Sequence, residues 1–73
     1  MKKLHQTHRD ILRQIYNDGS VTAKYIKFSN ANQYLRELEN QKYIIREWIK
    51  GKKYSKLNPF KIKEIKLIIG VVL

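Results

Sequence analysis

The spacing of apolar residues changes period between Gln41 and Tyr43, and that change sets the order of the chain's parts. Before it, apolar side chains recur at intervals of three and four, the mark of helices with one buried stripe. After it, Tyr43-Ile44-Ile45-Arg46-Glu47-Trp48-Ile49 is β-branched and aromatic, a strand composition. With 73 residues the chain has room for one core. A domain this short buries only about 60% of its unfolded surface. There is no cysteine, so neither a disulfide nor a thiolate metal site can supplement that core. Extra burial through a second subunit is one remedy.

In the first half, His8, Ile11, Leu12, Ile15 and Tyr16 fall at i, i+3, i+4, i+7 and i+8. They predict a helix over about 8–18, capped by Thr7, with Asp10 at its third position and Gly19 left-handed just past its end. Ser20-Val21 is a stub of strand. Thr22 is a good cap for a short second helix from Ala23 to about Phe28, with Ala23 and Ile26 inward and Lys24 and Lys27 outward. Asn30 then caps a third helix, with Gln33 placed as in a capping box.

That third helix, about 30–41, has Ala31, Tyr34, Leu35 and Leu38 on one stripe. At about 100° per residue, Gln33, Arg36 and Asn40 fall on the opposite face, flanked by Asn32 and Glu37. An ordinary solvated face is mostly Glu and Lys. This one holds amides and an arginine, the side chains that read purine edges bidentately in a DNA major groove. A plain amphipathic core helix with a polar outside is the competing reading.

Lys50-Gly51-Lys52-Lys53 is a turn, and Tyr54-Ser55-Lys56-Leu57-Asn58 a returning strand. From Trp48 to Lys63 there are six lysines and no acid. Pro59 ends the hairpin and suits a first helical position, with Asn58 as cap. Residues from Phe60 fit a further helix to about Ile69, which Gly70 frays or ends. Gly70-Val71-Val72-Leu73 is apolar and has to pack somewhere.

Sixteen Lys and Arg against six Asp and Glu give a formal charge of +10. A protein this basic commonly meets a polyanion, nucleic acid first. An anionic membrane surface and an acidic protein are the competitors. The start of the chain has no apolar h-region and no stretch of about 18 apolar residues occurs, so neither a signal peptide nor a span is expected. The expected compartment is cytoplasmic, with the nucleoid or host DNA. His5 and His8 have neither cysteine nor a carboxylate at ligand spacing, so no metal is expected. No cofactor or small-molecule ligand is evident. No Ser-His-Asp set, paired acids or phosphate-binding glycine loop can be assembled, so an enzyme is not expected.

The order is therefore helix, stub strand, helix, helix, hairpin and an added C-terminal helix. The chain resembles the winged helix-turn-helix family of small prokaryotic and viral transcriptional regulators over about residues 7–59. Tyr34-Leu35-Arg36-Glu37-Leu38-Glu39, followed by Tyr43-Ile44-Ile45-Arg46-Glu47, is similar to a recognition helix running into the first wing strand. Lys53-Tyr54-Ser55-Lys56-Leu57-Asn58-Pro59 is similar to the returning strand and its Pro exit. The family usually has glycine between recognition helix and wing. Lys42 stands there in this chain, so Asn40 or Gln41 is expected to turn left-handed. The segment Thr22 to Ser29 is also shorter than the family's second helix and turn.

The resemblance implies a mainly α fold with a small β-hairpin: a winged helix-turn-helix domain over 1–59 and a helical extension over 60–73. It implies the third helix in the major groove of double-stranded DNA and the wing on phosphate or minor groove. The expected contacts are Asn30, Asn32, Gln33, Arg36 and Asn40 from the helix. Arg46, Lys50, Lys52, Lys53 and Lys56 are expected from the wing, with Lys24 and Lys27 across the backbone. Each bidentate base contact discriminates by about 1–3 kcal/mol, whereas a bridge from Arg36 to Glu39 or Asn40 is worth only tenths. Trp48 and the tyrosines could stack on bases but more often pack.

A homodimer is expected, with Ile62, Ile65, Ile68, Ile69 and Val72 pairing across a two-fold axis; closing the core is the other use for them. An excisionase-like architectural protein that bends DNA is the near alternative. A protein-binding winged helix, or a membrane-surface helix over 60–73, would belong to other classes.

Overall fold

The structure, a computed structural model, describes residues 4–71. Three α-helices and a three-stranded antiparallel sheet enclose one core. Helix α1 (Gln6–Asp18) buries His8, Ile11, Leu12 and Ile15, the stripe the spacing predicts, with half-buried Tyr16 packed beside it. The helix starts earlier than the stripe does. Its cap is His5 and not Thr7, and the His5 backbone N–H donates to Nδ1 of His8 at 3.1 Å. Asp10 is thus beyond the first turn, where it accepts from Gln6 at 2.9 Å. Gly19 ends α1 with φ 89°, its N–H donating to the Ile15 carbonyl at 2.8 Å.

The stub becomes β1 (Ser20–Thr22), and it is part of the sheet. It pairs with β3 (Lys52–Leu57), which also pairs with β2 (Ile44–Ile49), so the order is β1-β3-β2. The small hairpin expected from the sequence is therefore two strands of three. The expected second helix is a single 3-10 turn, Ala23–Tyr25, after which Ile26 is extended. Six residues, three of them the β-branched or aromatic Tyr25, Ile26 and Phe28, are too few to offset the cost of nucleation. The inward and outward sides are nonetheless as expected: Ile26 is buried, Lys24 and Lys27 are exposed.

Helix α2 (Ala31–Asn40) buries Leu35 and Leu38, with Ala31 and Tyr34 packed against the core. No capping box forms. Asn30 is left-handed at φ 61° and its side chain caps nothing, while its carbonyl accepts the N–H groups of Gln33 at 3.0 Å and Tyr34 at 3.2 Å. At the other end the left-handed residue is Lys42 itself, φ 70°, and not Asn40 or Gln41. A side chain in that conformation costs about 1–2 kcal/mol. Asn58 braces it, donating from Nδ2 to the Lys42 carbonyl at 2.7 Å, while the Tyr43 N–H returns to the Leu38 carbonyl at 3.0 Å.

Lys50 and Gly51, at φ 49° and 80°, make a two-residue connection between β2 and β3. Paired positive φ angles suit the twist of a tight hairpin. The returning strand starts accordingly at Lys52, two residues earlier than its composition implies. Asn58 caps the following 3-10 turn (Pro59–Lys61), its Oδ1 accepting from the Phe60 N–H at 3.0 Å. Helix α3 (Ile62–Ile69) ends at left-handed Gly70, φ 79°.

The expected dimer stripe is corrected here. Ile65 and Ile69 are 0% and 4% exposed inside the monomer, in the cluster that holds Ile11, Leu12 and Ile15. They close the thin core and are not free to pair with a second subunit. Ile62 and Ile68 are half-buried, and Val72 lies outside the described residues. The Arg13 guanidinium donates to the Ile69 carbonyl at 3.0 Å, fastening α3 to α1. Pro59 therefore marks a bend within one core. Among the described residues no helix is long and apolar enough to cross a membrane.

Candidate nucleic-acid interface

Rotation of α2 about its axis decides which side chains face out. Leu35 and Leu38 pin one side into the core, and a hydrogen bond to α1 pins it further. His8 Nε2 stands 2.7 Å from Oε1 of Glu37. Because Nδ1 accepts the His5 N–H, the ring proton sits on Nε2 and is donated to the carboxylate. Tyr34 packs edge-on against the same imidazole, centroids 4.9 Å apart. Glu37 was expected at the flank of the reading face. It is instead turned toward α1 and half-buried, which takes one phosphate-repelling acid off that face. Asn32, Gln33, Arg36 and Asn40 all remain exposed. Neither bridge open to Arg36, to Glu39 or to Asn40, forms among the described residues.

The wing does not present its lysines as one patch. Strand pairing puts Arg46 opposite Ser55 and Trp48 opposite Lys53, on the sheet face that also carries buried Val21 and Ile44. Ile45, Glu47 and Ile49 alternate to the other face with Lys52, Tyr54 and Lys56. Lys56 is engaged there, its Nζ 2.7 Å from Oε1 of Glu47. Lys50 is exposed at the tip. Lys53 Nζ lies 5.9 Å from the centroid of the Trp48 ring, within cation–π range, and that ring is 70% exposed. Trp48 is thus a surface residue and not part of the packing.

Arg46 leaves the strand toward α2. Its Nη2 donates to Asn32 Oδ1 at a long 3.4 Å, while Nε is buried without a partner, as is Oγ of Ser55 across the strand pair. A buried donor left unpaired costs about 1–3 kcal/mol. Arg46 and Asn32 line a concavity of 340 Å³ together with Lys24, Lys52 and Lys53. Tyr25, Thr22 and Tyr54 line it as well, three residues outside the set of expected DNA contacts. Tyr25 is 64% exposed, and the 3-10 turn that replaces the second helix is what places it there. The remaining expected contacts lie outside this concavity: Lys27 in the loop before α2, left-handed Asn30 at its start, Gln33, Arg36 and Asn40 along it, Lys50 at the wing tip and Lys56 paired with Glu47.

Among the described residues no group of His, Cys, Asp or Glu could hold a metal ion. Compared with protein-family models, with curated proteins and with solved structures, the chain matches none.

Proposed function

We propose that this protein binds double-stranded DNA as a small transcriptional regulator of winged helix-turn-helix type. The observation that carries this reading is the outward face of α2. Four side chains of base-reading types, Asn32, Gln33, Arg36 and Asn40, are exposed on a helix whose other side is locked into the core. A helix with its side chains is about 10–12 Å across and fits a major groove about 12 Å wide. Arg36 is the guanine reader, and Gln33 the adenine reader. The order helix, strand, turn, helix, hairpin, with β1 laid on β3, supports the winged-helix reading. A single 3-10 turn stands where that family has a helix, so backbone contacts on that side fall to Lys24 and Lys27. The charge of +10 supplies the sequence-independent part of the affinity by releasing counterions from phosphates.

Fluorescence anisotropy on a pool of random duplexes, run against salt with the bound fraction sequenced, tests it. The expected result is salt-steep binding with an enriched motif, two-fold symmetric for a homodimer and a single half-site for a monomer. Salt-steep binding without a motif makes the protein architectural. No binding at low salt removes the DNA reading and leaves an acidic protein or a lipid surface.

A further inference from the structure

We infer that the concavity between the wing and the start of α2 is a phosphate seat, which grips one phosphodiester of a nucleic-acid strand through Arg46. Only the source of the phosphate rests on the DNA-binding reading; the seat itself rests on its own residues. Four of the residues that line it are cationic and none is acidic: Lys24, Arg46 and Lys53, with Lys52 from the opposite face of β3. The nearest acid on the wing, Glu47, shares that opposite face with Lys52 and is paired with Lys56. The volume, 340 Å³, stands at the small end of ligand pockets, which run from about 300 to 1,000 Å³. A space of that size is enough for a phosphate with part of its sugar, and its open side leaves room for the rest of a strand.

Arg46 is the centre of it. A guanidinium carries five donors in a planar fork that matches two phosphate oxygens at once. Here one donor is used, in a 3.4 Å contact with Asn32, and Nε has no partner among the described residues. Asn32 is the second residue of α2, so the positive end of that helix lies beside the fork. Lys53 arrives from the paired strand and Lys24 from the 3-10 turn, so three separate elements converge with α2 on one point. One consequence concerns Asn32. It orients the Arg46 fork and is a positioning residue; base reading along α2 passes to Gln33, Arg36 and Asn40.

The test follows the side-chain Nε–H signal of Arg46 by NMR during titration with inorganic phosphate, against sodium chloride at equal ionic strength. A saturable shift confined to Arg46 and the Asn32 amide is expected, lost in Arg46→Gln while its backbone spectrum stays that of the folded protein. No saturable shift, or an even drift of every arginine signal, overturns the seat and leaves DNA binding through Arg36 standing. On duplex DNA, Arg46→Gln should lower the log–log salt slope by about 1. Arg46→Lys should keep that slope yet weaken binding about tenfold, because the charge stays and the fork goes. Full affinity in Arg46→Lys would overturn the fork. A saturable phosphate shift in a protein that binds no duplex would keep the seat and remove the DNA reading. Adenosine monophosphate occupying Arg46 where duplex leaves it unmoved would assign the phosphate to a free nucleotide and overturn the strand assignment.

Discussion

Helices α2 and α3 each bury two side chains in the core and differ in what they expose. The buried pairs are Leu35 and Leu38 from one, Ile65 and Ile69 from the other. Outward, α2 shows amides and an arginine, whereas Leu67 on α3 and Phe60 in the turn before it are 78% and 93% exposed. In so small a domain a helix is kept first for what it buries. What it shows outward is then free to differ, and α2 shows a run of amides and an arginine that can read a base edge.

The largest effect that could break this comparison is in the core. Leu38→Ala and Ile65→Ala should each cost about 2–5 kcal/mol. A domain of this length is stable by only about 4–11 kcal/mol, so urea unfolding should show both variants stripped of a large fraction of their stability, with a midpoint well below that of wild type. A mild Ile65→Ala beside a severe Leu38→Ala would mean that α3 is an appendage and that the core is α1, α2 and sheet alone.

Next in size is the pair that sets the rotation of α2. His8→Ala leaves the half-buried Glu37 carboxylate short of its donor and should lower stability by about 1–3 kcal/mol in urea. His8→Gln, which can still donate, should recover part of it. Equal stability of both variants with wild type would show that Leu35 and Leu38 alone hold the helix.

The two outward faces are separated by a matched pair of surface substitutions. Arg36→Ala should leave stability within about 0.5 kcal/mol while flattening the preference at one base position by about 1–3 kcal/mol. The readout is the sequenced bound pool. Uniform weakening across all sequences would reduce Arg36 to a phosphate contact. Leu67→Ser should be the smallest change, within about 0.5 kcal/mol and independent of protein concentration. A larger, concentration-dependent loss would show Leu67 covered by a second copy.

Elements built by neighbours in sequence were legible without the structure. The stripe of α1, the face of α2, the stop at Gly19 and the Asn58-Pro59 exit all depend on residues within about four positions of one another. The second helix was misread because a stripe of two inward residues, Ala23 and Ile26, satisfies a 3-10 turn followed by extended chain as well as it does a helix. The composition of the turn, Lys50-Gly51-Lys52-Lys53, leaves open which two residues make it, and so which face each lysine of the wing takes. With the turn at Lys50-Gly51, alternation sends Lys53 to one face and Lys52 and Lys56 to the other.

By itself, then, the sequence determined the local periods, the helix ends marked by glycine and proline, the basic charge and the polar face of α2, since each follows from propensity and side-chain spacing. Tertiary structure alone decided that β1 lies on β3, that Glu37 turns inward to His8, that Ile65 and Ile69 complete the core, and that Arg46 meets Asn32 beside Lys24 and Lys53. These are encounters between residues 14 or more positions apart, as in the His8–Glu37 separation of 29 and the Arg46–Asn32 separation of 14. Their loop-closure cost is met only when the whole core forms at once, so no local stretch of sequence carries them.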